Sequence, residues 1–330
     1  REYARAMLRT PPEIPSGWYV LAYSDEVPPG ELKRLSYLER EMVAFRGADG
    51  VSVFDAYCPH LGAHFAFGGR VEDGTLRCPF HGWRFDASGD CIEIPYCSRI
   101  PARARALRLD AVERNGLVLA WFDAQGKPPF FEVPELPEWH DEDFTHRWVR
   151  YEWTIASHPQ EMAENGVDWQ HFPLVHHMDA PRDVRARFVG PSYQWSIESG
   201  KEYTLQALTE SFDLSGENWG IGYSVTRQKG AFETVIVTGM TPVDRAHVCI
   251  KLGVIARRNG RSEEELESAL RPYMEEHAVV ATQDFHIWEN KLYREQPLLC
   301  EEDGPIAEYR RWTGQFYGDA GGDAPAGSSQ

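Results

Sequence analysis

Two short loops constrain this chain more than any other feature: Cys58-Pro59-His60-Leu61-Gly62-Ala63-His64 and Cys78-Pro79-Phe80-His81-Gly82-Trp83. Each offers one thiol and one imidazole, with Pro between them and Gly soon after the histidine. Such donors hold transition metals, so a backbone carrying both loops must fold to bring them side by side around one. A structural zinc site is the plain alternative, but its ligand pairs are normally two to four residues apart within a knuckle. Here a single residue separates Cys58 from His60.

Two thiolates and two imidazoles suit an unsymmetrical 2Fe-2S cluster of the Rieske type, with Cys58 and Cys78 on one iron and His60 and His81 on the other. Neutral imidazoles reduce the negative charge on such a cluster and raise its potential, which suits it to passing single electrons onward. His64 lies off the pattern and reads as a loop or supporting residue.

The chain has 330 residues, enough for two domains. Its 34 basic and 51 acidic side chains give a net charge of −17, which argues against nucleic acid as a partner. Arg1 to Pro15 has no apolar run of signal-peptide length, and no stretch of about twenty apolar residues occurs, so a soluble, cytoplasmic protein is expected. Cys91, Cys97, Cys249 and Cys300 form no regular framework; a Cys91–Cys97 disulfide fits the spacing, but free thiols are the default in a reducing compartment.

Short β-rich runs broken by turns fill 17–125, among them Trp18–Ala22, Met42–Phe45, Val51–Phe54 and Leu117–Phe122, with Asp49-Gly50, Asp73-Gly74 and Asn115-Gly116 as turn signals. An all-β domain carrying the cluster is expected there, after an N-terminal segment 1–16. The proline-rich stretch 126–147 reads as an extended linker and 148–317 as a second domain. That domain should open with a helix over roughly His158 to Phe172, ended by Pro173. Strand-like runs follow between Tyr193 and Arg257, and then a long helix capped at Ser262 that Pro272 should kink or split. Residues 318–330 read as a mobile tail.

The run Glu164-Asn165-Gly166-Val167-Asp168-Trp169-Gln170-His171-Phe172-Pro173-Leu174-Val175-His176 has the composition of a non-haem iron site. Two imidazoles, His171 and His176, need a carboxylate to complete a facial triad that leaves iron(II) open to oxygen. Glu164, Asp168, Asp284 and Glu289 are the candidates. The stripe Leu270, Met274, His277, Ala281, Asp284 and Trp288 puts Asp284 on an inward helical face, so Asp284 is chosen over the others. A buried ion pair with an arginine is the alternative role for it. His158 and His177 read as structural, and Trp153, Trp195, Trp219 and Trp288 as core.

The two loops, the Glu-Asn-x-x-Asp-x-x-His-x-x-x-x-His run and the late Asp284 resemble the catalytic α subunit of the Rieske non-haem iron oxygenases, from about Trp18 to Tyr317. Within that superfamily, Cys58–Ala63, Ile94-Pro95-Tyr96, Gln283–Lys291, Arg310-Arg311-Trp312 and Gln315-Phe316-Tyr317 resemble the 3-ketosteroid 9α-hydroxylase oxygenases and cholesterol 7-desaturases. Leu61 replaces an Arg common in aromatic dioxygenases. The resemblance implies an α+β protein: an N-terminal all-β Rieske domain and a C-terminal helix-grip (START-like) domain with an antiparallel sheet and flanking helices.

It also implies that His171, His176 and Asp284 bind a mononuclear Fe(II) and that Asn165 lies just outside the ligands. Asp168 would orient His171 and hydrogen-bond His81 of the next subunit in a head-to-tail homotrimer. The implied activity is hydroxylation or desaturation of a small apolar, steroid- or sterol-like substrate with O2. No nicotinamide or flavin motif is present, so a separate NAD(P)H-dependent reductase must supply electrons, directly or through a ferredoxin. An aromatic-acid or demethylating monooxygenase is the alternative within the superfamily. A Rieske electron carrier without turnover and a lipid-binding module are the rivals outside it, although a carrier needs little beyond the first 125 residues.

Overall fold

A computed structural model describes residues 13–177, 184–197, 202–205, 208–211 and 213–318. The expected tail, apart from Gly318, lies outside these residues, as does most of the N-terminal segment. Antiparallel strands dominate. In the first domain, Gly17–Tyr23 pairs with Leu117–Phe122, which pairs with Ala111–Arg114. A second sheet joins Leu32–Tyr37, Arg40–Gly47 and Gly50–Asp55, and a third joins Arg70–Glu72, Thr75–Arg77, Arg84–Phe85 and Cys91–Glu93. Asp73-Gly74 and Asn115-Gly116 are turns with both residues at positive φ, as tight hairpins require.

The second domain is a seven-stranded antiparallel sheet in the order Val149–Ile155, Val248–Ala256, Glu233–Pro242, Tyr223–Lys229, Asp213–Trp219, Ser192–Ile197, Arg185–Val189. Successive side chains of a strand point to opposite faces. Val235 and Val237 share a core with Trp18 and Val20 of the first domain, whereas Ile236, Leu252 and Val254 pack on Met274 of a long helix, α2 (Glu263–Gln283). The sheet is thus covered by the first domain on one face and by α2 on the other. Trp153, Trp195, Trp219 and Trp288 are partly buried against the larger core.

Two expectations are corrected. Pro272 neither ends nor splits α2, because the buried stripe Leu266, Leu270, Met274 and Ala278 anchors the helix on both sides of it. The stretch 126–147 is irregular apart from one turn at Pro137–Trp139, and it is packed: Phe131, Val133, Leu136 and Phe144 are buried, and the Asn115 amide donates to the Pro134 carbonyl and accepts from Leu136 N–H, both at 2.9 Å. The helix expected over His158 to Phe172 shrinks to α1 (Pro159–Glu164). Two short helices complete the fold, α3 (Phe285–Trp288) and α4 (Ile306–Thr313). No helix among the described residues is long and apolar enough to cross a membrane.

The domains meet so closely that a Cβ on Gly222 would lie 2.5 Å from the Tyr19 ring and 2.8 Å from the Trp18 carbonyl. Gly222→Ala should therefore cost about 1–3 kcal/mol, seen as a lowered denaturation midpoint; an unchanged midpoint would contradict this packing. His158 caps α1: its Nδ1 accepts from Gln160 N–H, and its Nε2 lies 3.0 Å from the Glu13 carbonyl, an arrangement that needs the neutral ring. Burial pushes this imidazole down from 6.5 to about 4. The unfolded chain then binds the extra proton, so this stability is complete above pH 6.5 and is lost as pH falls towards 4. Across that window the parent should lose up to about 3 kcal/mol more than His158→Asn, measured by urea unfolding at stepped pH.

Candidate metal centres

The two cluster loops are built alike. Cys58 N–H bonds the Ala63 carbonyl at 2.9 Å and Cys78 N–H the Trp83 carbonyl at 2.8 Å, while Gly62 and Gly82 N–H return to the cysteine carbonyls. Gly62 and Gly82 have φ of +74° and +71°, a region glycine enters without strain. The first loop follows the strand Gly50–Asp55, and the second joins Thr75–Arg77 to Arg84–Phe85.

The rings of His60 and His81 lie 4.7 Å apart, and Trp83 stacks on His60 at 4.5 Å. The Nδ1 atoms of His60 and His81 are buried and have no hydrogen-bond partner among the described residues. The thiols of Cys58 and Cys78 hydrogen-bond each other, which holds Cys78 low and, with burial, pushes Cys58 up. Buried ring nitrogens are normally paired. Two such imidazole nitrogens beside two buried thiols fit the Cys2His2 donor set of a Rieske cluster. His64 stays outside it, accepting from Ala66 N–H at 3.1 Å and lying 3.5 Å from Glu41.

The second centre is built by a wide turn. After α1 the chain passes Gly166 and winds Phe172–His176 as one π-helical turn, which His177 ends at φ 55°. Hydrogen bonding from i to i+5 brings residues five apart to the same side. His171 and His176 therefore converge, their rings 5.1 Å apart. Pro173 does not end a helix here; it sits within the first turn of this one. At the junction of α2 and α3, Asp284 points inward, 6% exposed. Ligand atoms of His171, His176 and Asp284 lie within 4.8 Å of one another, and His176 Nε2 is 3.4 Å from Asp284 Oδ2.

Neighbouring groups fix which ring nitrogens face this point. His171 Nδ1 bonds the Asp168 carbonyl, and His176 Nδ1 lies 2.9 Å from Gln283 Oε1. Both Nδ1 atoms thus carry hydrogen and leave Nε2 for a metal. Asn165 donates to Asp284 Oδ2 at 3.0 Å and lies 3.1 Å from His171 Nε2. Burial lowers His171; burial also acts to lower His176, but its bonds to Asp284 and Gln283 more than offset that and raise it. Two imidazoles and one carboxylate facing a common point are the donor set of a non-haem iron(II) triad.

The other carboxylates are placed elsewhere. Glu164 takes a bidentate pair from Arg310 at 2.7 and 2.8 Å, and Glu289 lies near Ala156 N–H at 3.5 Å. The Asp168 carboxylate is 3.9 Å from His171 Nδ1 and 39% exposed, so its carbonyl orients the ring, not its carboxylate. Sequence reasoning missed Gln283, although its place beside Asp284 was the available signal. All six cysteines are free, so Cys91 and Cys97 form no disulfide.

Comparison with known proteins matches a Rieske [2Fe-2S] domain over residues 17–105 and a 3-ketosteroid 9α-hydroxylase C-terminal domain over residues 120–317. The chain is 31% identical to cholesterol 7-desaturase nvd 1 of Ciona intestinalis over 93% of this chain and 69% of that protein. It is 32% identical to a probable 3-ketosteroid-9-alpha-monooxygenase, oxygenase component, of Rhodococcus rhodochrous, over 94% of this chain and 82% of that protein. Among solved structures, dicamba monooxygenase bound to dicamba has a similar fold, with a TM-score of 0.71 and 21% identity over 91% of this chain and 96% of that one. NdmA of Pseudomonas putida CBB5 with caffeine aligns with a TM-score of 0.70 and 20% identity over 90% and 89%. The chain is an oxidoreductase whose cofactors are a Rieske 2Fe-2S cluster and a mononuclear iron. With its Rieske domain joined to a steroid-hydroxylase type of catalytic domain, it belongs to the Rieske oxygenase family of the 3-ketosteroid 9α-hydroxylases and cholesterol 7-desaturases.

Proposed function

We propose that this chain is the terminal oxygenase that hydroxylates or desaturates an apolar steroid- or sterol-like molecule, using O2 and electrons from a separate NAD(P)H-dependent reductase. The convergence of His171, His176 and Asp284, in a chain similar along nearly its whole length to proteins named for steroid and sterol oxidation, carries this reading. Cys58, His60, Cys78 and His81 are the proposed cluster ligands, and His171, His176 and Asp284 the proposed iron ligands. When bound, the cluster supplies single electrons and the iron activates oxygen.

The chain's own share is positioning. Gln283 and the Asp168 carbonyl hold the two imidazoles in one tautomer, and Asn165 steadies the Asp284 carboxylate. The half-exposed Asp168 carboxylate is free to meet His81 of a neighbouring subunit. Leu61, Phe67 and Phe80, 62–65% exposed around the cluster loops, support a contact between copies, and a head-to-tail arrangement that closes on three is a ring. Six free cysteines support a reducing, cytoplasmic setting.

The test is mass spectrometry of products formed with a surrogate reductase, O2 and a panel of steroids, sterols and aromatic acids. A steroid or sterol gaining one oxygen or losing two hydrogens is expected. Turnover of aromatic acids alone would overturn the substrate class.

Two sets of variants test the residue roles. Cys78→Ser should abolish the Rieske EPR signal while the second domain still folds, and Asp284→Ala should lose mononuclear iron and product but keep that signal. Full activity in Asp284→Ala would move the carboxylate role to another acid. Asp168→Asn should keep both metals yet slow transfer between the centres by orders of magnitude, read by single-turnover kinetics with metal content measured alongside. Wild-type transfer would remove Asp168 from the path.

A further inference from the structure

Between Cys97 and Leu109 the chain carries four arginines, Arg99, Arg103, Arg105 and Arg108, and no carboxylate, although its net charge is −17. All four side chains are exposed. Arg105 makes a solvent-exposed contact with Asp90 at 3.4 Å, while the guanidinium groups of Arg99, Arg103 and Arg108 have no partner among the described residues. The backbone beneath them is pinned: Cys91 N–H bonds the Ala104 carbonyl at 2.9 Å, and Ala106 N–H the Gly89 carbonyl at 2.8 Å. Arg105 and Arg108 line a groove of about 600 Å³ together with Leu107, Pro129 and one carboxylate, Asp110.

This segment starts at the edge of the cluster. Tyr96, 62% exposed, accepts the Trp83 Nε1–H at 2.8 Å, and Trp83 stacks on His60. A protein seated at the Arg99 end of the segment would meet Tyr96, the exposed end of a contact that runs through Trp83 to the proposed cluster ligand His60.

Charge decides what fits. The apolar side chains at Leu61, Phe67 and Phe80 suit a permanent contact between copies. An exposed cationic strip instead favours fast, salt-sensitive encounter with a negatively charged partner. We propose that the segment from Arg99 to Arg108 is the docking surface for an acidic electron-donor protein. This rests on the oxygenase reading above. One electron passes in each encounter: the donor is oxidised by one electron, the Rieske cluster is reduced by one, and no proton or bond is exchanged.

The test compares holoenzyme with the triple variant Arg99→Gln, Arg103→Gln, Arg108→Gln, using an acidic plant-type 2Fe-2S ferredoxin as the probe. Its affinity is measured by calorimetry, and its rate of cluster reduction by stopped flow, at stepped salt. In the parent both should fall steeply as salt rises. At low salt the variant should be about tenfold weaker and slower, with a shallower salt slope. Its Rieske EPR spectrum and oligomeric mass should match the parent's.

Equal affinities and slopes would overturn the proposal. So would a variant that changes subunit association with ferredoxin affinity unaltered, which would make the strip a contact between copies. Selective loss of binding to phosphatidylglycerol vesicles, with ferredoxin affinity intact, would overturn it by assigning the strip to a membrane surface. A parent without a Rieske EPR signal would be the separate failure of the oxygenase reading.

Discussion

A carboxylate held between two imidazoles in the protein interior organises the catalytic domain. Asp284 is 6% exposed, and a buried charge without a partner is prohibitively costly. Its surroundings answer that cost in three ways. His176 lies 3.4 Å away, Asn165 donates a hydrogen bond, and the donor set suits a divalent cation. Each answer fixes a piece of backbone: α2 must continue past Pro272 to Gln283, the chain after His171 must wind wide enough to bring His176 round, and α1 must stop at Asn165. The Glu164–Arg310 pair holds the end of α1 against the last helix, α4. Removing one partner of such a buried pair leaves the other charge stranded, so it resists displacement of Asn165.

The same sheet that supports α2 holds the cluster domain on its other face. The hairpin tip Leu38-Glu39 has φ of 59° and 57° without glycine and bonds through both amides to the Pro242 and Val243 carbonyls of the second domain. Lys251, 2% exposed, reaches Tyr37 of that hairpin at 2.9 Å, Glu152 at 2.9 Å and Cys249 at 3.2 Å. These contacts offset the strain of the turn and the burial of the ammonium, and they make the two domains one packed unit.

The donor sets of the two candidate centres are the most legible part of the sequence, because ligand type and spacing are set by the metal more than by the fold. The loops at Cys58 and Cys78, the pair His171 and His176, and the inward face of Asp284 could all be read from side chains alone. Glycine turns at Asp73-Gly74 and Asn115-Gly116 were legible for the same local reason. What was not legible depends on distant partners. Leu38-Glu39 has no turn signature, since contacts far along the chain hold it. The short span of α1 is not legible because the chain leaves the helix where Asn165 bonds the distant Asp284, before the wide turn Phe172–His176. The packing of segment 126–147 is not legible because the amide of Asn115 that holds it sits earlier in the chain.

The central claim is that one chain holds both an electron-accepting cluster and an oxygen-activating iron. Its most direct test is the content of iron and acid-labile sulfide in anaerobically reconstituted protein, read together with Mössbauer spectra. The account predicts about three irons and about two sulfides per chain, with one iron spectroscopically distinct from the cluster pair. About two irons with two sulfides and no third environment would make the protein an electron carrier and contradict it.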